Sequence, residues 1–174
     1  MAIAIVEIKA RCTDPDALRQ RIMAFDPKVI GTDHQVDTYF GVPNGRLKLR
    51  RGNIENTLIA YGRPNISGPK LSNVSLYKPL ETEQLYTVLT KALPVLVEVD
   101  KSREIYFVDN VKFHIDEVVG LGSFMEIEAI DETGSVSTKV LREQCDFYCE
   151  VLGVKEKDLI DRSYSDLLLD QHSE

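Results

Sequence analysis

The sequence predicts an α+β protein built around a closed antiparallel β-barrel with flanking helices. Three observations carry this expectation. Strand-like runs outnumber helical ones and mostly follow one another through short turns, which is the antiparallel pattern. In five of those runs charged residues recur at every second position, so they share one face of the strand. On one run, 45–51, that shared face is wholly basic: Arg46, Lys48 and Arg50.

Residues 3–12 (IAIVEIKARC) read as the first strand. Asp14 as N-cap and Pro15 in the first turn open a helix over 14–25, with Ala17, Leu18, Ile22 and Phe25 at helical spacing. Three strands follow at 34–41, 45–51 and 56–63, separated by the turn formers Pro43-Asn44-Gly45 and Gly52-Asn53. The Gly/Pro/Ser/Asn-rich stretch from Pro64 to about Asn73 reads as a loop. A short strand at 74–78 then leads to a helix over about 81–92. Strands at 96–108 and 111–119 meet in a tight turn at Asp109-Asn110, and 123–130 forms another strand. A helix near 135–152 and a short helical segment at 163–169 follow. No repeat, low-complexity tract or linker marks a boundary, so 1–174 is expected to be one domain, large enough to bury its own core.

Composition narrows the class. With 43% hydrophobic and 28% charged residues the chain has the balance of a soluble globular protein. No apolar stretch approaches a membrane span, and the opening MAIAIVEIKARC lacks a signal-peptide layout, so a cytoplasmic protein without a membrane partner is expected. The net charge of −7 argues against a nucleic-acid partner. Cys12, Cys145 and Cys149 are odd in number and lack metal-type clustering, which predicts reduced thiols.

The alternation sets the central question. Glu7, Lys9 and Arg11 share a face opposite Val6, Ile8 and Ala10; Lys101 pairs with Arg103; Lys112, His114 and Asp116 face together, as do Glu126 and Glu128. Each strand alone is an ordinary amphipathic strand with a solvated polar face, and an open sheet covered by helices on one side would satisfy them. A barrel with a polar lumen is the alternative, its apolar outer faces packed against the helices. Sign segregation favours the barrel, because like charges on neighbouring strands repel unless an anion compensates them. Arg forks and Lys ammonium groups suit phosphate oxygens. Glu126 and Glu128, with Glu7 and Asp116, offer hard oxygen ligands for Mg²⁺ or Mn²⁺. Bases for phosphate and acids for metal in one lumen are what phosphoryl chemistry needs.

In order along the chain, these residues resemble the CYTH family, the triphosphate tunnel metalloenzymes that include class IV adenylyl cyclases and thiamine triphosphatases. The similar segments are Glu7-Ile8-Lys9, with Ile5 where the family's first Glu stands; Asp37-Thr38-Tyr39-Phe40 before Arg46-Leu47-Lys48-Leu49-Arg50; Val99-x-Lys101-x-Arg103; His114-Ile115-Asp116-Glu117-Val118; Leu121-Gly122-x-Phe124-x-Glu126-x-Glu128; and the ending Ser163-Tyr164-Ser165-Asp166-Leu167-Leu168. The resemblance spans nearly the whole chain. It implies a tunnel of eight antiparallel strands that binds a triphosphate with Mg²⁺ or Mn²⁺. Lys9, Arg46, Lys48, Arg50, Lys101 and Arg103 would hold phosphate oxygens, with Arg63 and Lys112 as further basic contacts. Glu7, Glu126 and Glu128 would hold metal, and Lys9, Lys48 and Asp116 are the candidate catalytic residues. Lys70 could reach a phosphate from the tunnel mouth, although as a loop lysine it reads first as solvated. His114 reads first as a hydrogen-bonded structural histidine, with a proton relay as the alternative. The functional expectation is cyclisation of ATP to cyclic AMP and pyrophosphate. Hydrolysis of thiamine triphosphate, tripolyphosphate or a nucleoside triphosphate is the alternative, and non-catalytic capture of a polyphosphate is a third. A homodimer is compatible with the resemblance.

Overall fold

The computed structural model describes residues 2–62 and 67–173. Its elements in chain order are β1 (Ala2–Arg11), α1 (Pro15–Met23), β2 (Lys28–Phe40), β3 (Arg46–Gly52), β4 (Thr57–Gly62), β5 (Lys70–Tyr77), α2 (Thr82–Ala92), β6 (Val95–Val108), β7 (Val111–Val118), β8 (Gly122–Asp131), α3 (Thr138–Val151) and α4 (Tyr164–Gln171). The eight strands close into a barrel in the order β1-β5-β4-β3-β2-β6-β7-β8, every neighbouring pair antiparallel. The expected eight-stranded barrel with flanking helices is therefore the fold observed.

The hydrophobic core lies outside the barrel wall. Val6, Ile8 and Ala10 of β1, Val111, Phe113 and Ile115 of β7, and Met125, Ile127 and Ala129 of β8 point outward. They pack against Leu18 and Ile22 of α1 and Leu141 and Cys145 of α3. Alternation then forces their charged neighbours into the lumen. Cys145 is buried, its Sγ 3.2 Å from the Val6 carbonyl oxygen, and all three cysteines are free thiols.

Two strands begin well before the start the sequence predicts. β2 begins at Lys28, six residues before the expected start, and is carried past a register shift between Val29 and Gly31 by the positive φ of Gly31 (137°). β5 begins at Lys70, inside the stretch read as loop, because residues 70–75 pair with β1 from Glu7↔Lys70 to Ala2↔Ser75. Gly45 takes φ 65° in the β2–β3 turn, where a Cβ would stand 2.9 Å from the Tyr61 carbonyl oxygen.

Candidate functional site

A helix packs across one end of the barrel. The Ser163 N-cap and Asp166 form a capping box that starts α4. Tyr164 and Leu168 then pack with Tyr39 of β2, Val99 of β6, Val118 of β7 and Phe124 of β8. Arg46 of β3 reaches the same helix, donating to Ser163 Oγ at 2.8 Å and to Asp166 Oδ2 at 3.0 Å. Ser163 and Tyr164, at the start of α4, line one end of a cavity of about 480 Å³ that runs through the barrel.

On one side of the lumen, Asp37 is the hub. Arg50 grips it with two hydrogen bonds of 2.9 Å, Lys101 Nζ donates at 2.9 Å and Lys48 Nζ at 3.2 Å. Burial alone would raise this carboxyl, but Arg50, Lys101 and Lys48 outweigh it and hold it well below the usual carboxylate range. The like-charged neighbours act on Lys101 in the opposite sense. Burial, together with Arg50, Arg103 and Lys48, pushes its ammonium down to about 7 despite Asp37. Farther from α4, Glu55 on the β3–β4 turn accepts from Lys112 Nζ and, at 3.2 Å, from Arg50.

Around the wall the carboxylates gather. Glu126 accepts from Lys9 Nζ, from Arg103 at 3.2 Å and from His114 Nδ1 at 3.1 Å. Burial raises the Glu126 carboxyl, yet Lys9 and Arg103 keep it well below its ordinary value. Burial, then Arg103, lowers His114, so its imidazole is neutral at pH 7 and the proton belongs on Nδ1, facing Glu126. Its Nε2 is buried with no hydrogen-bond partner among the described residues. His114, Glu126 and Glu128 present ligand atoms within 4.8 Å of one another, and Glu7 pairs with Glu128 across β1 and β8. Carboxylate oxygens with one neutral imidazole fit Mg²⁺ or Mn²⁺ in donor chemistry.

Six lumen cations thus already face a carboxylate: Lys9 meets Glu126; Lys48, Arg50 and Lys101 meet Asp37; Arg103 meets Asp116; and Lys112 meets Glu55. Glu7, Lys9, Lys48, Arg50, Lys101, Arg103, Lys112, Glu126 and Glu128 all line the cavity. Asp116 lies beneath Arg103, which donates to it at 2.7 and 2.6 Å, while Tyr164 Oη donates at 2.7 Å. Arg46 is tied to α4. Arg63 lies outside the described residues.

Lys70 is a correction. The loop reading predicts a solvated side chain, but pairing with β1 places it in β5, where it is 1% exposed and donates to the Ile160 carbonyl at 3.1 Å. Sequence reasoning also assigned no role to Asp37, Glu55 and Tyr164, and did not count His114 with the acidic cluster. The parity of Asp37 with Tyr39 was a usable signal. Glu55, in a turn without face periodicity, carried none.

Residues 5–164 match the family model described as the CYTH domain. The chain is 26% identical to the adenylate cyclase CyaB of Aeromonas hydrophila over 93% of this chain and 87% of that protein. It is 25% identical to a Methanocaldococcus jannaschii protein named as a candidate adenylate cyclase, over 93% and 97% respectively. A conserved hypothetical protein of Pyrococcus furiosus shares the fold with a TM-score of 0.79 at 23% identity, over 94% of this chain and 99% of that one. A candidate adenylyl cyclase of Hippeastrum, described as having a dominant triphosphatase activity, does so with a TM-score of 0.63 at 17% identity, over 100% and 97%.

Proposed function

We propose that this chain, which belongs to the CYTH domain family, is a metal-dependent enzyme that hydrolyses a triphosphate ester at its terminal phosphorus inside the tunnel. Members of this family act on triphosphates with divalent metal ions. The observation that carries the choice of reaction is the position of the β8 carboxylates, beside Lys9 and Tyr164 at the α4 end of the cavity. A triphosphate seated with its terminal phosphate at that end places it among Lys9, Arg103 and the carboxylates of β8, next to Tyr164.

In this reading Lys48, Arg50, Lys101 and Lys112 take the phosphate oxygens in place of part of their contact with Asp37 and Glu55, and Arg46 secures α4. Lys9 and Lys48 meet the charge that develops on the transferred group and the leaving phosphate. Asp116 orients Arg103 through its paired hydrogen bonds. Glu7, Glu126 and Glu128, with His114, would hold Mg²⁺ or Mn²⁺, which supplies charge neutralisation and Lewis acidity at the phosphoryl oxygens. Because six of the lumen cations are already matched by carboxylates, a bound metal would add positive charge that a triphosphate requires.

Cyclisation of ATP is the second reading. It is favoured by 25–26% identity, over 93% of this chain, with two proteins named for adenylate cyclase activity. Product identification separates the two. The protein is incubated with Mg²⁺ or Mn²⁺ and, separately, ATP, GTP, thiamine triphosphate and tripolyphosphate. Orthophosphate is expected; cyclic AMP with pyrophosphate would overturn hydrolysis in favour of cyclisation, and no turnover with either metal would leave a binding protein.

A further inference from the structure

We infer that the substrate's organic group is aliphatic: the tunnel takes a triphosphate ester of an apolar alcohol in preference to inorganic tripolyphosphate or a nucleotide. This rests on the triphosphate reading of the same site and adds what the triphosphate is attached to.

The lumen has two unlike walls. The cations Lys48, Arg50, Lys101, Arg103 and Lys112 project from β3, β6 and β7. The contiguous strands β8, β1, β5 and β4 present an aliphatic patch of Ile130, Ile3, Ile5, Val74, Leu76 and Ile59 to the cavity, next to the Glu7, Lys9, Glu126 and Glu128 that β1 and β8 also turn inward. These six side chains are neighbours through the sheet, with Ile5 beside Ile130, Ile3 beside Val74 and Ile59 beside Leu76. Ile3, Ile5, Ile130 and Leu76 sit toward the end where β1 begins, away from Tyr164, and share that end with Lys112 and Arg50 on the facing wall, while Ile59 lies level with Lys48.

These residues are inward-facing but not packed away. Leu76 is 42% exposed, Ile3, Ile5, Ile59 and Ile130 are each partly exposed, and Val74 is buried, and all six line the cavity. A phosphate chain gains nothing from such a surface, whereas an alkyl group removes it from water. The position of Ile5 is telling: the alternation that puts Glu7 and Lys9 into the lumen puts an isoleucine there too, where a carboxylate would face the same space. In the cavity lining, the amide of Asn56 is taken up by the backbone of Gly52, donating to its carbonyl at 2.8 Å and accepting from its N–H at 3.2 Å, and so is committed rather than offered to a nucleobase. A cationic wall on β3, β6 and β7 facing an aliphatic patch on β8, β1, β5 and β4 across one cavity describes a site for an amphiphile.

Calorimetric titration with Mg²⁺ present tests this with four probes: n-hexyl triphosphate, methyl triphosphate, ATP and inorganic tripolyphosphate. A fully buried methylene contributes about a fourfold gain in affinity. With five methylenes partly buried, hexyl triphosphate is expected to bind about thirtyfold more tightly than methyl triphosphate, with a more negative heat-capacity change. Leu76→Thr, at a half-exposed position that leaves the fold intact, and Ile5→Thr should each cut the hexyl-to-methyl ratio at least about threefold, as loss of roughly one methylene contact implies. Equal affinities for hexyl and methyl triphosphate, or tighter binding of ATP than of the hexyl ester, would overturn the inference while leaving the triphosphate site standing. Failure of all four probes, tripolyphosphate included, would overturn the triphosphate reading and this inference with it.

Discussion

Asp37→Asn is the perturbation that separates the structural from the binding role of the lumen charges. The carboxylate is 1% exposed and is shared by Arg50, Lys101 and Lys48 at 2.9–3.2 Å. Asparagine keeps the shape and removes the charge, leaving the buried Lys101 and the half-buried Lys48 without their counter-ion and Arg50 with Glu55 alone. Breaking a buried pair in this way costs about 3–5 kcal/mol. At about 2–4 °C per kcal/mol for a chain of this size, the expected fall in Tm is roughly 6–20 °C. The same substitution makes the lumen more positive, so tripolyphosphate with Mg²⁺ should raise the Tm of the variant more than that of the parent. Thermal denaturation with and without ligand reads both effects. A variant as stable as the parent would refute the hub role of Asp37. A smaller ligand-induced rise in the variant would refute anion binding by Lys48, Arg50 and Lys101.

Three further outcomes are expected. The Lys101 ammonium sits at about 7 in the folded protein against its ordinary 10.5, so between these values the unfolded chain binds more protons and stability should rise with pH, by at most about 1.4 kcal/mol per pH unit; urea denaturation from pH 7 to 9 should show this rise flattened in Lys101→Met, and parallel curves would count against it. Tyr164→Phe removes the 2.7 Å hydrogen bond to Asp116 while Arg103 keeps its two, for an expected loss of about 1.5–3 kcal/mol in urea denaturation. Gly45→Ala forces a Cβ to within 2.9 Å of the Tyr61 carbonyl oxygen at a φ of 65°, and should lower stability by about 1 kcal/mol or more on thermal denaturation.

Much of the barrel was legible because alternation is a local signal. The parity of Arg46, Lys48 and Arg50 and of Glu126 and Glu128 follows from spacing alone, and a lumen-facing set on one strand implies the outward apolar set that α1 and α3 cover. Pairing across the barrel was not legible in the same way. Lys70 looked like a loop residue because Pro64, Asn65, Gly68 and Pro69 precede it, and only its register against Glu7 makes it part of a strand. Glu55 meets Lys112 across 57 residues of chain, so nothing in its turn announces a lumen role. The all-basic face of β3 suggested an external anion, and a phosphate remains its proposed partner. The structure adds that Asp37, on the strand next to it, is the anion that lets three cations share one wall.

A crystal structure with tripolyphosphate and Mn²⁺, using the anomalous signal of manganese, tests the central claim most directly. The account predicts manganese beside Glu126 and Glu128 and polyphosphate oxygens against Lys48 and Arg50, both within the tunnel. Manganese on surface carboxylates with no polyphosphate in the lumen would contradict it.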